Sequence, residues 1–190
     1  MFGRGSRVQE RGTAPAPGGG SRPEAGALRR LVLAASVAAV VVVVDQLTKS
    51  WAVRRLSHGD IHVVWKLDLE LSYNTGASFG LARGWGPVIV GVALSAVVLL
   101  LSTVRRVRSD GLTLALGLVI GGALGNLADR VVGHHHGAVV DFIALHFWPT
   151  FNVADSCIVI GAITAALIVT ARRPAPETPP DTASDGGGPP

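Results

Sequence analysis

The sequence predicts an all-α membrane protein with four transmembrane helices and a small β-containing extracytoplasmic loop. The first observation is composition: 48% of the 190 residues are hydrophobic and 16% are charged, whereas a soluble domain carries about 25% charged residues. The second is a mean hydropathy of +0.43, and the third is the grouping of apolar residues into four long runs. These observations exclude a soluble enzyme and a disordered chain. The single cysteine excludes a disulfide framework within the chain.

Each apolar run predicts one span, and the first needs the most justification. It is free of charge only from Leu31 to Val44, which is too short for a helix to cross a hydrocarbon core of about 30 Å. Extending it to Trp51 gives a full span and places Asp45 and Lys49 in its last two turns. The four predicted spans then cover about residues 31–51, 84–104, 111–130 and 151–171.

The segments at both ends of the chain are predicted to be disordered tails. Residues 1–27 are basic and rich in Gly, Pro and Ser, and residues 174–190 are rich in Pro and Gly. Neither segment has apolar periodicity, so neither can bury enough surface to offset the entropy lost on ordering. The four-helix domain is therefore predicted over residues 28–173.

The basic residues indicate how the spans are oriented. Six arginines precede the first span, three lie between the second and third spans, and two follow the fourth, which makes eleven on one side, whereas the other two loops together hold four basic residues. Because Lys and Arg accumulate on the cytoplasmic side of membrane proteins, both termini are predicted to be cytoplasmic. This placement also explains the net charge of +4, so we expect membrane lipids and no nucleic acid as partners.

The first outer loop, residues 52–83, contains a predicted strand. Polar and apolar residues alternate from Lys66 to Leu71. A period of two is typical of a strand with one buried face. We therefore expect a small sheet at the membrane surface.

Polar residues gather at the predicted outer ends of the spans and in the outer loops. Ionisable groups are costly in a membrane and usually mark function. Their concentration at one depth predicts a functional site at the outer face. The residues concerned are Asp45, Lys49, Asn74, Asn126, Asp129, Arg130, Asp141, Asn152 and Asp155.

Several of these residues also have a purely structural interpretation. Asp45 and Lys49 are four positions apart and can pair on one helix face. Asn152 and Asp155 are residue types that cap helix N-termini. Arg130 can serve as an interfacial anchor.

The carboxylates in this group suggest acid–base chemistry. Two carboxylates at a protected site can share one proton, so that one accepts a proton from water while the other polarises a carbonyl, as in aspartic peptidases. This chemistry needs no metal. The spacing leaves the pair open, because Asp129 and Asp141 are equally good partners for Asp155.

Other motifs carry weaker signals. Residues 76–80 match G-x-S-x-G, yet no buried strand or His/Asp partner accompanies them. The run His134–His136 is predicted to be a solvated loop, because consecutive side chains cannot easily converge on one metal ion. Cys157 is predicted to pack within the fourth span. A face for close helix packing is predicted at Gly117, Gly121 and Gly125.

Five motifs follow one another across the four spans. They are D-Q-L-T-K at 45–49, N-T-G-A-S-F-G at 74–80, G-G-A-L-G-N-L-A-D-R at 121–130, V-V-D-F at 139–142 and F-N-V-A-D-S at 151–156. Together they resemble the lipoprotein signal peptidase (signal peptidase II) family. The resemblance covers the chain from about Leu31 to Arg173.

The resemblance implies a membrane aspartic endopeptidase that removes the signal peptide from diacylglyceryl-modified prolipoproteins, cutting before the lipobox Cys. It assigns the catalytic pair to Asp141 and Asp155, with Asp129 in support and held by Arg130. It places the protein in a bacterial cytoplasmic membrane with the active site at the outer face and no cofactor, and we expect a monomer. Substrate-binding or supporting roles are implied for Asp45, Lys49, Asn74, Asn126, Asp129, Arg130 and Asn152.

The main alternative is a small polytopic transporter or a proton-relay membrane subunit. That function predicts ionisable groups along a path through the membrane. In this sequence they stop at one side, and no inverted repeat is evident. A membrane scaffold without catalysis would leave the aspartates unexplained.

Overall fold

The computed structural model describes residues 22–76, 86–133 and 135–171. Each of its helices is long and apolar enough to cross a membrane, which confirms the four predicted spans as helices. The chain also contains a four-stranded sheet. The elements are α1 (Arg22–Leu56), β1 (Ile61–Val64), β2 (Leu67–Asn74), α2 (Gly86–Arg106), α3 (Asp110–Val132), β3 (Val139–Leu145), β4 (Trp148–Phe151) and α4 (Val153–Ala171).

Helix α1 is longer than predicted at both of its ends. It begins at Arg22, so residues 22–27 are helical although the sequence predicts them as part of a disordered tail. Glu24 lies in the first turn, where a negative charge is favourable, and the Ala and Leu residues that follow are strong helix formers. The helix then continues past Trp51 to Leu56. Residues 1–21 and 172–190 lie outside the described residues.

Helix α3 is the centre of the bundle and packs against each of the other three helices. Small residues permit the close approach to α1. A Cβ atom added at Gly121 would lie only 2.8 Å from the Cα atom of Ala38, and one added at Gly117 would lie 3.1 Å from the carbonyl oxygen of Ala34. The predicted small-residue face is therefore the contact surface between α1 and α3.

The outer surface of the helices is apolar. Val40, Val92, Leu99 and Leu167 are among the large hydrophobic side chains that are more than 60% exposed. A water-soluble bundle would bury such residues, whereas lipid tails accept them. The interior contact of α1, α2 and α3 is also apolar, with a core of Ala34, Ala38, Val97, Val104, Leu116 and Ile120.

The sheet is antiparallel, with strand order β1-β2-β3-β4. The strand predicted from Lys66 to Leu71 is confirmed in substance as β2, which starts at Leu67 and extends to Asn74. The sequence predicts a sheet formed by the first outer loop alone, and this prediction covers only part of the sheet. Strands β3 and β4 come from the segment between α3 and α4, so the fold combines a helical bundle with a sheet and is not all-α.

The sequence does not predict strand β3, because most of its side chains are buried on both faces. A strand of this kind lacks the alternation of polar and apolar residues that predicts β2. Asp141 therefore lies in a buried strand and not in a short loop. Strand β4 also includes Phe151, where the sequence predicts the start of the fourth span.

An apolar cluster joins the sheet to the end of α1. Ala52, Leu56 and Phe142 form its buried centre, and Leu69 and Val153 pack against it. This cluster fixes β3 and the start of α4 against the last turns of α1. As a result, Asp141 lies at the same end of the bundle as Asp45 and Lys49.

Candidate active site

The predicted polar residues converge on one cluster at the end of the bundle that carries the sheet. They are contributed by α1, α3, β3, the end of β2 and the start of α4. Hydrogen bonds and ion pairs connect seven of them, and Asn74 lies beside Asp141. The seven are Asp45, Lys49, Asn126, Asp129, Asp141, Asn152 and Asp155. Arg130 lies at the edge of this cluster.

The start of α4 is a reciprocal cap formed by Asn152 and Asp155. The Asn152 side-chain oxygen accepts the Asp155 backbone N–H at 3.0 Å, and the Asp155 Oδ2 accepts the Asn152 backbone N–H at 3.2 Å. This is a capping box with Asn and Asp in place of the usual residues. The cap uses one oxygen of Asp155, and the other accepts the side-chain N–H of Asn126 at 2.7 Å.

Asp141 is the buried carboxyl group of strand β3. Its side chain accepts a hydrogen bond from Asn152 Nδ2 at 2.6 Å, and the residue is only 2% exposed. The pKa of Asp141 is raised to about 6. Burial is the largest cause and the charge of nearby Asp155 adds to it, while Asn74, Asn152 and the charge of Lys49 act in the opposite direction. Asp141 is therefore a carboxyl group that can hold a proton near neutral pH.

Asn152 links the two carboxyl groups. Its Nδ2 contacts Asp141, and its Oδ1 and backbone N–H contact Asp155. The residue is fully buried, so its position is set by the fold. Asp141 and Asp155 thus form one unit, close enough for their charges to interact.

Asn74 lies at the rim of this unit, at the exposed end of β2. Its side chain lies close enough to Asp141 to lower the pKa of that carboxyl group, and its Oδ1 accepts the backbone N–H of Gly76 at 2.8 Å. Gly76 has a φ of +78°, a conformation that favours glycine. Residues 77–85, which follow Gly76, lie outside the described residues.

Lys49 is the cation at the centre of a second, adjacent unit. Its ammonium group lies 2.8 Å from Asp45 Oδ2, 2.9 Å from Asp129 Oδ2 and 3.0 Å from Asn126 Oδ1. An ammonium has three N–H donors, so all three are used. The predicted pairing of Asp45 with Lys49 is confirmed, and it is one part of a larger buried network.

Asp129 belongs to this second unit and not to the pair around Asn152. Besides Lys49, it accepts hydrogen bonds from Gln46 Nε2 at 2.8 Å and from the Val140 backbone N–H at 3.1 Å. The expectation that Arg130 holds Asp129 is wrong. Arg130 instead donates to the carbonyl oxygen of Asn126 at 3.2 Å, because Lys49 already occupies the position next to the carboxylate.

Asp45 connects α1 to the start of α4. It is completely buried, and its Oδ1 accepts the Ala154 backbone N–H at 2.9 Å. Gly125 makes room for it, since an added Cβ would lie 2.7 Å from Asp45 Oδ2. Sequence analysis missed the roles of Gly125 and Gln46, although Gln46 lies three residues before Lys49 and therefore on the same helix face.

The other candidate groups do not form a catalytic or metal site among the described residues. No group of three or more His, Cys, Asp or Glu side chains in these residues is arranged to hold a metal ion. In the histidine run, His135 packs against the ring of Tyr73 at 4.6 Å, and His134 lies outside the described residues. The serine of the G-x-S-x-G match, Ser78, also lies outside them.

Three kinds of similarity relate this chain to known proteins. The sequence profile of the signal peptidase (SPase) II family matches residues 37–171. A lipoprotein signal peptidase from Rhodococcus jostii (strain RHA1) is 40% identical over 159 residues, which are 80% of this chain and 79% of that protein. Another from Mycolicibacterium smegmatis is 40% identical over 185 residues, which are 90% of this chain and 78% of that protein.

The fold is similar to that of a solved bacterial membrane enzyme. That structure, determined at 1.9 Å resolution, superimposes with a TM-score of 0.66 and 27% sequence identity, covering 75% of this chain and 94% of the other. The similarities in sequence and in fold thus agree. The chain therefore belongs to the signal peptidase II family, the aspartic peptidases that cleave signal peptides from prolipoproteins.

Proposed function

We propose that Asp141 and Asp155 are the catalytic pair of this peptidase. The observation that carries the proposal is the bridge made by Asn152. Its side-chain Nδ2 donates to the Asp141 carboxyl group, and its backbone N–H donates to the Asp155 carboxyl group. The pair combines a buried carboxyl group of raised pKa with a partly buried one that accepts hydrogen bonds at both oxygens. One proton shared between two such groups is what aspartic peptidase chemistry requires.

Asp129 is the less suitable partner for Asp155. Its oxygens already accept from Lys49, Gln46 and the Val140 backbone N–H. These partners, which include a cation 2.9 Å away, hold Asp129 in the unit around Lys49. We therefore assign Asp129 a supporting role.

The proposed reaction is hydrolysis by one activated water. The water oxygen attacks the scissile carbonyl carbon while Asp155 takes a water proton and Asp141 gives its proton to the carbonyl oxygen. The resulting tetrahedral intermediate then breaks its C–N bond. Asp155 returns its proton to the leaving nitrogen, and Asp141 recovers its proton from the intermediate. Both carboxyl groups end in their starting states, and no cofactor is needed.

The proposed substrate is a prolipoprotein whose lipobox Cys carries diacylglycerol, cut just before that Cys. The polar cluster lies at one end of the four apolar helices, and the arginine distribution favours the outer face of a bacterial cytoplasmic membrane for that end. There the lipid of the substrate can stay in the bilayer while the scissile bond reaches the pair. Both termini are then cytoplasmic.

Asn74, Asn126 and Arg130 are the proposed contacts for the substrate backbone. The Arg130 Nε is buried and has no hydrogen-bond partner among the described residues. A buried guanidinium N–H without a partner is costly, and a substrate carbonyl would satisfy it. We expect the enzyme to act as a monomer surrounded by membrane lipids, without nucleic acid as a partner.

The interior of the bundle gives less support to the alternative that the chain is a transporter or a proton-relay subunit. The core shared by α1, α2 and α3 is made of Ala, Val, Leu and Ile side chains. A proton path would need polar or ionisable groups at that depth. The polar cluster ends before this core.

A cleavage assay in detergent tests the proposal. Two synthetic prolipoprotein peptides, identical except for the diacylglyceryl group, are incubated with the purified chain, and mass spectrometry locates the cut. We expect cleavage before the lipobox Cys of the lipidated peptide and none with the Asp141→Asn/Asp155→Asn double variant. If the folded wild-type chain cuts neither peptide, the proposal fails, and proton flux in vesicles would test the alternative.

A further inference from the structure

We propose that Lys49 is a positioning residue of the peptidase: its ammonium group fixes the orientation of the Asn126 amide, which directs an N–H at Asp155. This inference rests on the proposed role of Asp155. Lys49 does not touch Asp141 or Asp155 through any hydrogen bond or ion pair given by the described residues. Its charge acts on Asp141 through space, but any effect on the geometry of the pair must pass through other groups.

The Asn126 amide is held in one orientation by its surroundings. Its oxygen accepts from Lys49 Nζ at 3.0 Å and from Asn152 Nδ2 at 3.1 Å, and its nitrogen donates to Asp155 Oδ1 at 2.7 Å. Rotating the amide by 180° would turn its N–H groups towards two other donors and its oxygen towards a carboxylate. The cation makes this flipped state the most unfavourable, because an ammonium cannot accept a hydrogen bond.

Lys49 is itself held by two carboxylates that contact the backbone beside the catalytic pair. Asp45 accepts the N–H of Ala154, the residue before Asp155. In the same way, Asp129 accepts the N–H of Val140, the residue before Asp141.

The ammonium therefore joins the two carboxylates, which would otherwise repel each other in a buried place. With a side chain only 3% exposed, Lys49 has no room to adopt another arrangement. One cation thus aligns the donor to Asp155 and couples the two backbone segments that carry the pair.

Removing the cation should lower the catalytic rate more than substrate binding. In Lys49→Met the Asn126 amide loses the partner that fixes it, and Asp155 loses a directed donor. We expect kcat to fall by about tenfold or more, with KM changed much less, as for the loss of an oriented donor at a reacting site. The basic limb of the pH profile should also move to higher pH, because the Lys49 charge lowers the pKa of Asp141.

Gln46→Met is the matched control. Gln46 donates to Asp129 Oδ1 at 2.8 Å and to Asp45 Oδ2 at 3.3 Å, but it does not contact Asn126. This variant removes hydrogen bonds from the two carboxylates that hold Lys49 and keeps the cation. We expect it to lose stability while kcat and the pH profile stay near those of the wild type.

A double-mutant cycle decides whether Lys49 acts through Asn126. Rates are measured for Lys49→Met, Asn126→Ala and the combined variant on the lipidated peptide, at equal amounts of folded protein. If Lys49 acts through Asn126, the combined variant is no slower than Asn126→Ala alone. Independent losses that multiply, or a Gln46→Met variant as slow as Lys49→Met, would overturn the inference.

The cycle remains decisive if Lys49→Met alone does not fold. The same three changes are then made in an Asp129→Asn background, which removes one buried negative charge together with the positive one. The proposed function has a separate readout, since its failure means that the wild-type chain cuts nothing. If the wild type cuts and the losses multiply, only the inference about Lys49 fails.

Discussion

Asn152 shows how one side chain can serve both structure and chemistry. As the cap of α4 it satisfies the N-terminal N–H of Asp155, and with its amide nitrogen it contacts Asp141. If Asn152 served only as a cap, its amide nitrogen would be left in solvent. Here the cap places a partly buried carboxylate at a helix N-terminus, where a negative charge is favourable.

The pH dependence of cleavage follows from Asp141. Because its pKa is raised to about 6, the proton that the pair needs is lost as the pH rises through that value. We expect kcat/KM, measured over a pH series with the lipidated peptide, to fall on the basic side with a midpoint near 6. A profile that stays flat between about pH 5 and about pH 8 would contradict this assignment.

For single residues, the sequence predicts which side chains lie close together but not which of them form hydrogen bonds or ion pairs with each other. All nine predicted site residues lie in or beside the polar cluster. The spacing leaves Asp129 and Asp141 open as partners of Asp155. The ion pair of Asp129 with Lys49, which comes from a different helix 80 positions earlier in the chain, supports the proposed pair of Asp141 and Asp155. Ion pairs of this kind depend on helix packing, which local spacing does not encode.

Among the elements, the contact between α1 and α3 sets the geometry of the site. Gly125 is the position where this contact touches the polar cluster, because an added Cβ would lie 2.7 Å from Asp45 Oδ2. Asp45 cannot move away without losing Lys49 and the N–H of Ala154. The helix packing and the position of α4 are therefore coupled at one glycine.

We expect Gly125→Ala to lower both thermal stability and cleavage activity. The methyl group forces a buried carboxylate to shift, at a cost of about 1–3 kcal/mol, as for other overpacked cores. The matched control is Gly91→Ala on α2, where an added Cβ meets nothing within 4 Å. Thermal unfolding in detergent and the cleavage assay measure both effects, and a Gly125→Ala variant equal to Gly91→Ala would contradict the proposed coupling.

The elements differ in how well the sequence predicts them. The helices follow from apolar length alone, and β2 follows from alternating residues. Strand β3 does not, because Val139, Val140 and Phe142 are buried together with Asp141 and leave no alternation. The strand that carries the proposed catalytic residue Asp141 is thus the one whose sequence pattern is least distinctive.

For the whole molecule, the arginine distribution predicts that the sheet lies outside the membrane and the α2–α3 loop inside. Single cysteines test this in a Cys157→Ser background, since Cys157 is the only cysteine of the chain. We expect a membrane-impermeant maleimide to label Phe147→Cys, at a position 65% exposed in the β3–β4 turn, in intact cells. Arg105→Cys, at the end of α2, should react only after permeabilisation, and the reverse pattern would refute the orientation.

The central claim is that Asp141 and Asp155, and not Asp129, form the catalytic pair. The most direct test is single-turnover cleavage of the lipidated peptide by Asp129→Asn, Asp141→Asn and Asp155→Asn at equal folded amounts. The account predicts that Asp141→Asn and Asp155→Asn lose cleavage, while Asp129→Asn retains part of it because Lys49 still holds Asp45 and Asn126. Cleavage retained by Asp141→Asn and lost by Asp129→Asn would contradict the account and move the pair to Asp129 and Asp155.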